Sequence, residues 1–376
     1  MHEVVRERPH RGPAPGAAAL ARRLSPRARD LPAAVGGSSG SRRASVLLAA
    51  VVAVSLGALA ASSAAAAAAQ WTRSTRPTRP AAGAPRHGSR ALRPLPSPVQ
   101  LRPFFAPLVA GEGSWRATGR LVAGKPAVYE TTLREPGSPG VEAGVAWMDT
   151  RLLRAKLYSG SISPGGLSWK YTAPIEPAAA RTVVAAFNGG FKMQDANGGY
   201  FSEGKIAAPL RAGAASLVIY RSGKATVGMW GRDVRMTPAV VAVRQNLNLL
   251  VDHGAPVPGL SPYDTSAWGS TLGGTPNVWR SGLGVTADGA LVYVSGPALN
   301  VVQLAELLQR AGAVRAMELD INPFWTVFAA YSAPTGVQAS AANGADLLPG
   351  MTGGPSRFFD PAWARDFVTM SATTPG

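Results

Sequence analysis

Val314-Arg315-Ala316-Met317-Glu318-Leu319-Asp320-Ile321-Asn322-Pro323-Phe324-Trp325 has the period of a β-strand. Arg315, Met317, Leu319 and Ile321 point to one side, and Val314, Ala316, Glu318, Asp320 and Asn322 to the other. The first side is mostly apolar. The second turns from small and apolar to acid and amide, and its members stand about 6.5–7 Å apart. Glu318, Asp320 and Asn322 therefore form a short polar row. Pro323 offers no N–H to a ladder and ends the strand. Phe324 and Trp325 follow at the strand end, where loops carry function.

Working outward, Asn300–Ala311 reads as a helix. Asn300 caps it with Gln303 three residues on, and Val301, Leu304, Ala305, Leu308 and Ala311 form its apolar stripe before Gly312. Leu283–Thr286 and Leu291–Val294 flank Asp288-Gly289, a hairpin signal. The order hairpin–helix–strand lays a helix on one sheet face. The expected face is that of Met317, Leu319 and Ile321, which leaves Glu318, Asp320 and Asn322 facing a cleft. Further strands are expected at 128–133, 144–149, 152–158, 182–187, 216–220, 225–230 and 240–243, with turn signals such as Pro136-Gly137 and Ser222-Gly223 between them. Residues 347–370 read as loop. The expected fold class is α+β, with mixed, largely antiparallel sheets and a few packed helices over residues 103–376.

The chain before that domain has a different composition. Residues 1–102 hold sixteen Arg and no Lys against Glu3, Glu7 and Asp30, a net of +13 within the formal +17. Residues 1–45 read as a disordered basic tail. Residues 46–69 read as one apolar helix, a membrane anchor or an export signal. Residues 70–102 form a Pro- and Arg-rich linker. Nine Arg precede the apolar run, so the positive-inside rule puts the domain outside the cytoplasm, membrane-anchored or secreted. The domain's own cations are scattered, which argues against a nucleic-acid partner.

Absences narrow the chemistry. There is no cysteine, hence no disulfide, thiolate metal site or Cys nucleophile. His253 is the one histidine after residue 102, so a His-rich zinc site is excluded. No metal or cofactor is expected, and carboxylates remain as acid and base. Two other stretches stand out. In Ala185-Ala186-Phe187-Asn188-Gly189-Gly190-Phe191 an apolar β-run ends in an amide and two glycines, which permit close backbone approach to a ligand or simply make a turn. Arg280, where a hairpin strand begins, could clamp a phosphate or sit at a strand end. A Gly-rich run at 195–200, ending in Tyr200, resembles the start of a calcium loop but has Ile206 where the closing acid belongs.

The order β-run–Asn188-Gly189-Gly190-Phe191, then Arg280-x-Gly-x-Gly-x-Thr-x-Asp-Gly, then helix–strand–Leu319-Asp320 resembles the phosphodiester glycosidase family in an actinobacterial-type branch. The resemblance covers roughly residues 180–330. It implies a hydrolase acting on a sugar–phosphate diester, with Asn188 and its glycines, Arg280 and Asp320 in the site. The family's Leu-Asp is usually followed by three glycines; here Ile321-Asn322-Pro323-Phe324-Trp325 takes their place. On this reading Asp320 or Glu318 serves as base or nucleophile, and Arg280 stabilises the phosphate. Asn188, Gly189, Gly190, Phe191, Asn322, Trp325 and Tyr200 bind substrate, a carbohydrate or glycopolymer phosphodiester. The alternative is a non-catalytic glycan- or wall-binding module on the same scaffold. The sequence is silent on oligomeric state.

Overall fold

The computed structural model describes residues 92–374, Leu167 excepted. The basic tail, the apolar run at 46–69 and most of the linker lie outside the described residues. Among the described residues no helix is long and apolar enough to cross a membrane.

Three antiparallel sheets carry the fold. The first has the spatial order β1 (Arg116–Thr118), β2 (Val128–Glu135), β3 (Ser138–Met148), β14 (Leu291–Leu299), β13 (Val278–Thr286), β15 (Ala313–Glu318), β11 (Leu249–Asp252) and β12 (Ala255–Pro256). The second runs β7 (Lys205–Ala208), β6 (Tyr200–Ser202), β10 (Val240–Gln245), β8 (Ala215–Tyr220) and β9 (Ala225–Met229). The third runs β17 (Gly344–Asp346), β16 (Phe328–Tyr331), β5 (Val183–Asn188), β18 (Phe367–Ala372) and β4 (Leu153–Tyr158). The helices are few: α1 (Pro177–Ala180), α2 (Thr265–Trp268) and α3 (Val301–Arg310), besides short 3-10 turns. The largely antiparallel α+β architecture is as the alternating strand patterns require.

Alternation along the strands builds two cores at once. Ala146, Met148, Leu283, Val285, Leu291, Tyr293 and Met317 of the first sheet share a core with Leu217, Ile219, Phe187, Val368 and Met370 of the other two. The opposite side of the first sheet, with Val145, Trp147, Val292, Val294, Ala313 and Ala316, packs under Leu304, Leu307 and Leu308 of α3. The helix therefore covers the Ala316–Glu318 side, not the Met317–Leu319 side. The inter-sheet core claims the larger side chains, and α3 settles over the small ones. Gly282, opposite Glu318 in the register, lets it approach: a Cβ there would stand 2.8 Å from Leu308 Cδ1. The cap on α3 forms as read, with Asn300 Oδ1 accepting from the Val302 and Gln303 amides.

Two boundaries move. Residues 347–370 are not all loop, because β18 inserts between β5 and β4 at the middle of the third sheet. At the other end, Leu95 and Leu101 are buried and the Leu95 amide donates to Asp149 Oδ2 at 2.8 Å. Packing thus begins inside the stretch read as linker.

Candidate functional site

β15 and β13 are paired up to the residue before the turn. The Ser281 amide donates to Asp320 O and the Leu319 amide to Ser281 O, both at 2.8 Å. Pro323 then turns the chain. The Asp320 carboxylate folds back on that turn: Oδ1 accepts from the Ile321 amide at 2.8 Å and the Asn322 amide at 3.0 Å. Oδ2 accepts from Arg365 Nη2 at 2.8 Å. The same Nη2 donates to Gly190 O at 2.8 Å, and the guanidinium lies 4.8 Å over the Trp325 ring. Arg365 Nε is buried with no acceptor among the described residues.

These groups line a cleft of about 490 Å³ that also takes in Phe191, Lys192, Asp195, Ser270 and Asn322. It holds two carboxylates, two cations, an amide and an indole, a set of charges and an aromatic face that suits a polar, ring-bearing ligand. Burial pushes the Asp320 carboxyl up to about 6, and Arg365 followed by the turn amides pulls it back. At neutral pH Asp320 is therefore ionised and only modestly stabilised, the condition a general base needs.

The other carboxylate of the row is elsewhere. Glu318 is fully buried under α3, not in a cleft. Its Oε1 accepts from Arg280 Nη1 at 2.5 Å and its Oε2 has no partner among the described residues. Burial pushes it up to about 7 against the opposing pull of Arg280. Arg280, 2% exposed, also donates through Nε to Leu299 O and through Nη2 to Pro276 O. It does not reach the cleft, so the expectation that it clamps a phosphate is corrected. An arginine at the start of a strand flanked by a helix found an acid on the covered face instead.

Asn188 comes close to the cleft without opening into it. Its Nδ2 donates to Gly189 O and Ser281 Oγ, and its Oδ1 accepts from Tyr293 OH at 2.8 Å and the Val327 amide. It ties the first sheet to the third. Gly189 and Gly190 serve close approach, but to protein. A Cβ on Gly189 would meet Asp366 Oδ2 at 2.0 Å, and one on Gly190 would meet Arg244 Cζ at 2.9 Å. Phe191, Asn322 and Trp325 do line the cleft. Tyr200 does not: it is buried and shares a 2.8 Å hydrogen bond with Ser159. His253 is exposed on a turn beside Asp252. Among the described residues no cluster of three or more His, Asp or Glu could hold a metal ion.

Two residue groups escaped the sequence reading. Arg365-Asp366 sits in the stretch read as loop. Arg365 braces Asp320, while Asp366 Oδ2 accepts from Arg244 Nε at 2.9 Å. Arg244-Gln245-Asn246 continues the apolar run of β10, and all three are buried. Asn246 Oδ1 accepts from the Phe191 amide and its Nδ2 donates to Glu318 O and Leu319 O. The available signal was a charged or amide cluster abutting an unbroken apolar strand, at both Arg244 and Arg365.

Comparison with known proteins follows the same segment. Residues 181–320 match the family model described as phosphodiester glycosidase. No curated protein sequence matches. Among solved structures, the zebrafish N-acetylglucosamine-1-phosphodiester alpha-N-acetylglucosaminidase catalytic domain, auto-inhibited by its pro-peptide, is similar at 17% identity and a TM-score of 0.42, over 69% of this chain and 88% of that one. A hypothetical protein from Synechocystis is similar at 13% identity and a TM-score of 0.35, over 66% and 63%. The matched segment runs from just before β5 to Asp320 and takes in β13, α3 and β15.

Proposed function

We propose that this hydrolase domain cleaves a sugar–phosphate diester in cell-envelope glycopolymers, with Asp320 and Arg365 as the reacting pair. The observation that carries the reading is the direct Arg365–Asp320 contact at the wall of an open cleft. Phosphate is a good leaving group, so the protein has little acid catalysis to supply. The Arg365 guanidinium at the cleft wall can take up charge on the departing phosphate. Asp320 accepts the proton of the attacking water. The new bond forms at the sugar's anomeric carbon, the carbon–oxygen bond to phosphate breaks, and its electron pair leaves with a phosphate monoester. Trp325 and Phe191 offer apolar faces to the sugar. Lys192, exposed at the same cleft, supplies a second charge for the diester.

Placement outside the cytoplasm, by anchor or secretion, is part of the same proposal. It rests on the uncharged run from Ala44 to Trp71 and the Arg residues before it.

A second reading is favoured by one observation. Both Asp320 oxygens already accept hydrogen bonds from the protein. A carboxylate so engaged could fix the turn of a non-catalytic glycan-binding module. Incubating the full chain with a sugar-1-phosphodiester decides between them. Release of reducing sugar and phosphate monoester in equal amounts is expected. Retention of substrate without release would favour the binding module.

A further inference from the structure

A second cleft, of about 470 Å³, opens beside β4, the last strand of the third sheet. Its wall is β4, where Arg154, Lys156 and Tyr158 alternate on one face, opposite Ser371, Thr369 and Phe367 of β18. Arg221 lines the same cleft. Arg154 is shared with an adjoining cleft of about 450 Å³ that adds Arg93, Arg151 and Lys224. No described carboxylate lies within ion-pair distance of any of these six cations. The carboxylate lining the first of these clefts, Glu203, is already engaged: it accepts from the Lys170 and Tyr171 amides at 2.8 and 3.0 Å. Six cations with no described acid to answer them form a strip of positive potential that an extended polyanion would neutralise.

The strip and the candidate active site lie toward opposite ends of one strand, β18. Arg365 stands two residues before that strand, and Thr369 and Ser371 further along it line the second cleft. At about 3.4 Å per residue, Arg365 and Ser371 are about 20 Å apart along the chain. Alternate cations on β4 lie about 6.5–7 Å apart, a spacing suited to successive charged repeats. Single-stranded nucleic acid needs open rings for base stacking, and of the three tyrosines lining this cleft Tyr220 alone has no ring or cation against it among the described residues. Tyr171 carries Lys156 Nζ at 4.0 Å and Lys170 Nζ at 5.3 Å from its centroid. Tyr158 is buried and stacked on Phe367 at 4.7 Å.

We propose that this cationic edge binds a second stretch of a phosphodiester-linked glycopolymer, holding the chain while one linkage occupies the Asp320 cleft. The proposal deepens the hydrolase reading and rests on it for the sugar content of the polymer. The test uses the full chain and its Arg154→Gln/Lys156→Gln variant, so the basic tail is the same in both. Binding of a poly(sugar 1-phosphate), whose repeats are joined through anomeric phosphodiesters, is measured at low and at 0.3 M salt, and hydrolysis is followed on that polymer and on a short sugar-1-phosphodiester. Expected is about a tenfold weaker polymer Kd and a higher polymer KM in the variant, with turnover of the short substrate unchanged. Asp320→Asn, by contrast, should lose turnover and keep the wild-type Kd, which separates failure of the cleft from failure of the catalytic reading. Equal polymer Kd in wild type and Arg154→Gln/Lys156→Gln would overturn the proposal. So would displacement of the polymer by oligodeoxythymidylate of matched charge at equal concentration.

Discussion

Arg280 and Glu318 illustrate what burial does to a charged pair. Each has lost its water, and each is tolerable only because the other is present. Arg280→Ala leaves Glu318 ionisable, sealed and alone, and should cost about 3–5 kcal/mol of stability, read from the denaturant midpoint. Replacing both partners, as Arg280→Met with Glu318→Leu, should recover most of that loss. If the pair were instead part of the reacting centre, the double variant would be stable but inactive on a sugar-1-phosphodiester. Activity retained in that stable variant is the expected outcome. Arg365 should behave differently. Arg365→Lys keeps the charge but loses the planar fork that spans Asp320 and Gly190. Its kcat should fall about 10²-fold, the scale of losing one oriented donor to a developing anion.

At the scale of elements, β15 and α3 were legible and their mutual packing was not. Period-2 alternation gave the strand, and the Asn300 cap with its apolar stripe gave the helix. Nothing in the period says which face of a strand, both faces being buried, meets a helix and which meets another sheet. Gly282 is the deciding position. Its missing side chain makes room for Leu304 and Leu308. Gly282→Ala should therefore cost about 1–3 kcal/mol by overpacking, lowering Tm without touching the cleft. A neutral effect would mean that α3 does not rest on that face. β18 escaped notice for a different reason. Its Val368-Thr369-Met370-Ser371-Ala372 run alternates apolar and polar residues, but it is short and follows a stretch rich in Gly, Pro and Asp that reads as loop. With it went Arg365 and Asp366, whose importance comes from a register that no local pattern encodes.

At the scale of the molecule, several carboxyls are buried more completely than they are paired. Burial pushes Glu130, Glu135 and Glu318 up to about 7, and Asp320 and Asp346 up to about 6. In the unfolded chain these groups titrate near 4. Between about pH 4.5 and 7.5 the folded state therefore holds more protons than the unfolded one, and stability falls as pH rises. Asp233 and Asp252, held low by Arg232, act in the opposite sense only below that window. Chemical denaturation at pH 5 and pH 7.5 should give a higher midpoint at pH 5. Of the three residues the sequence placed together, Asp320 lines the cleft, whereas Asn188 and Arg280 are buried away from its lining.

The central claim is that Asp320, ionised and braced by Arg365, takes a proton during hydrolysis. Its most direct measurement is the pH–rate profile of the full chain on a sugar-1-phosphodiester, with Asp320→Asn beside it. The account predicts a wild-type rate that rises through about pH 6 and levels above it, as burial sets the carboxyl there. It predicts a loss of about 10²–10⁴ in kcat for the folded Asn variant. A variant as fast as wild type, or a wild-type rate that falls as pH rises through 6, would contradict it.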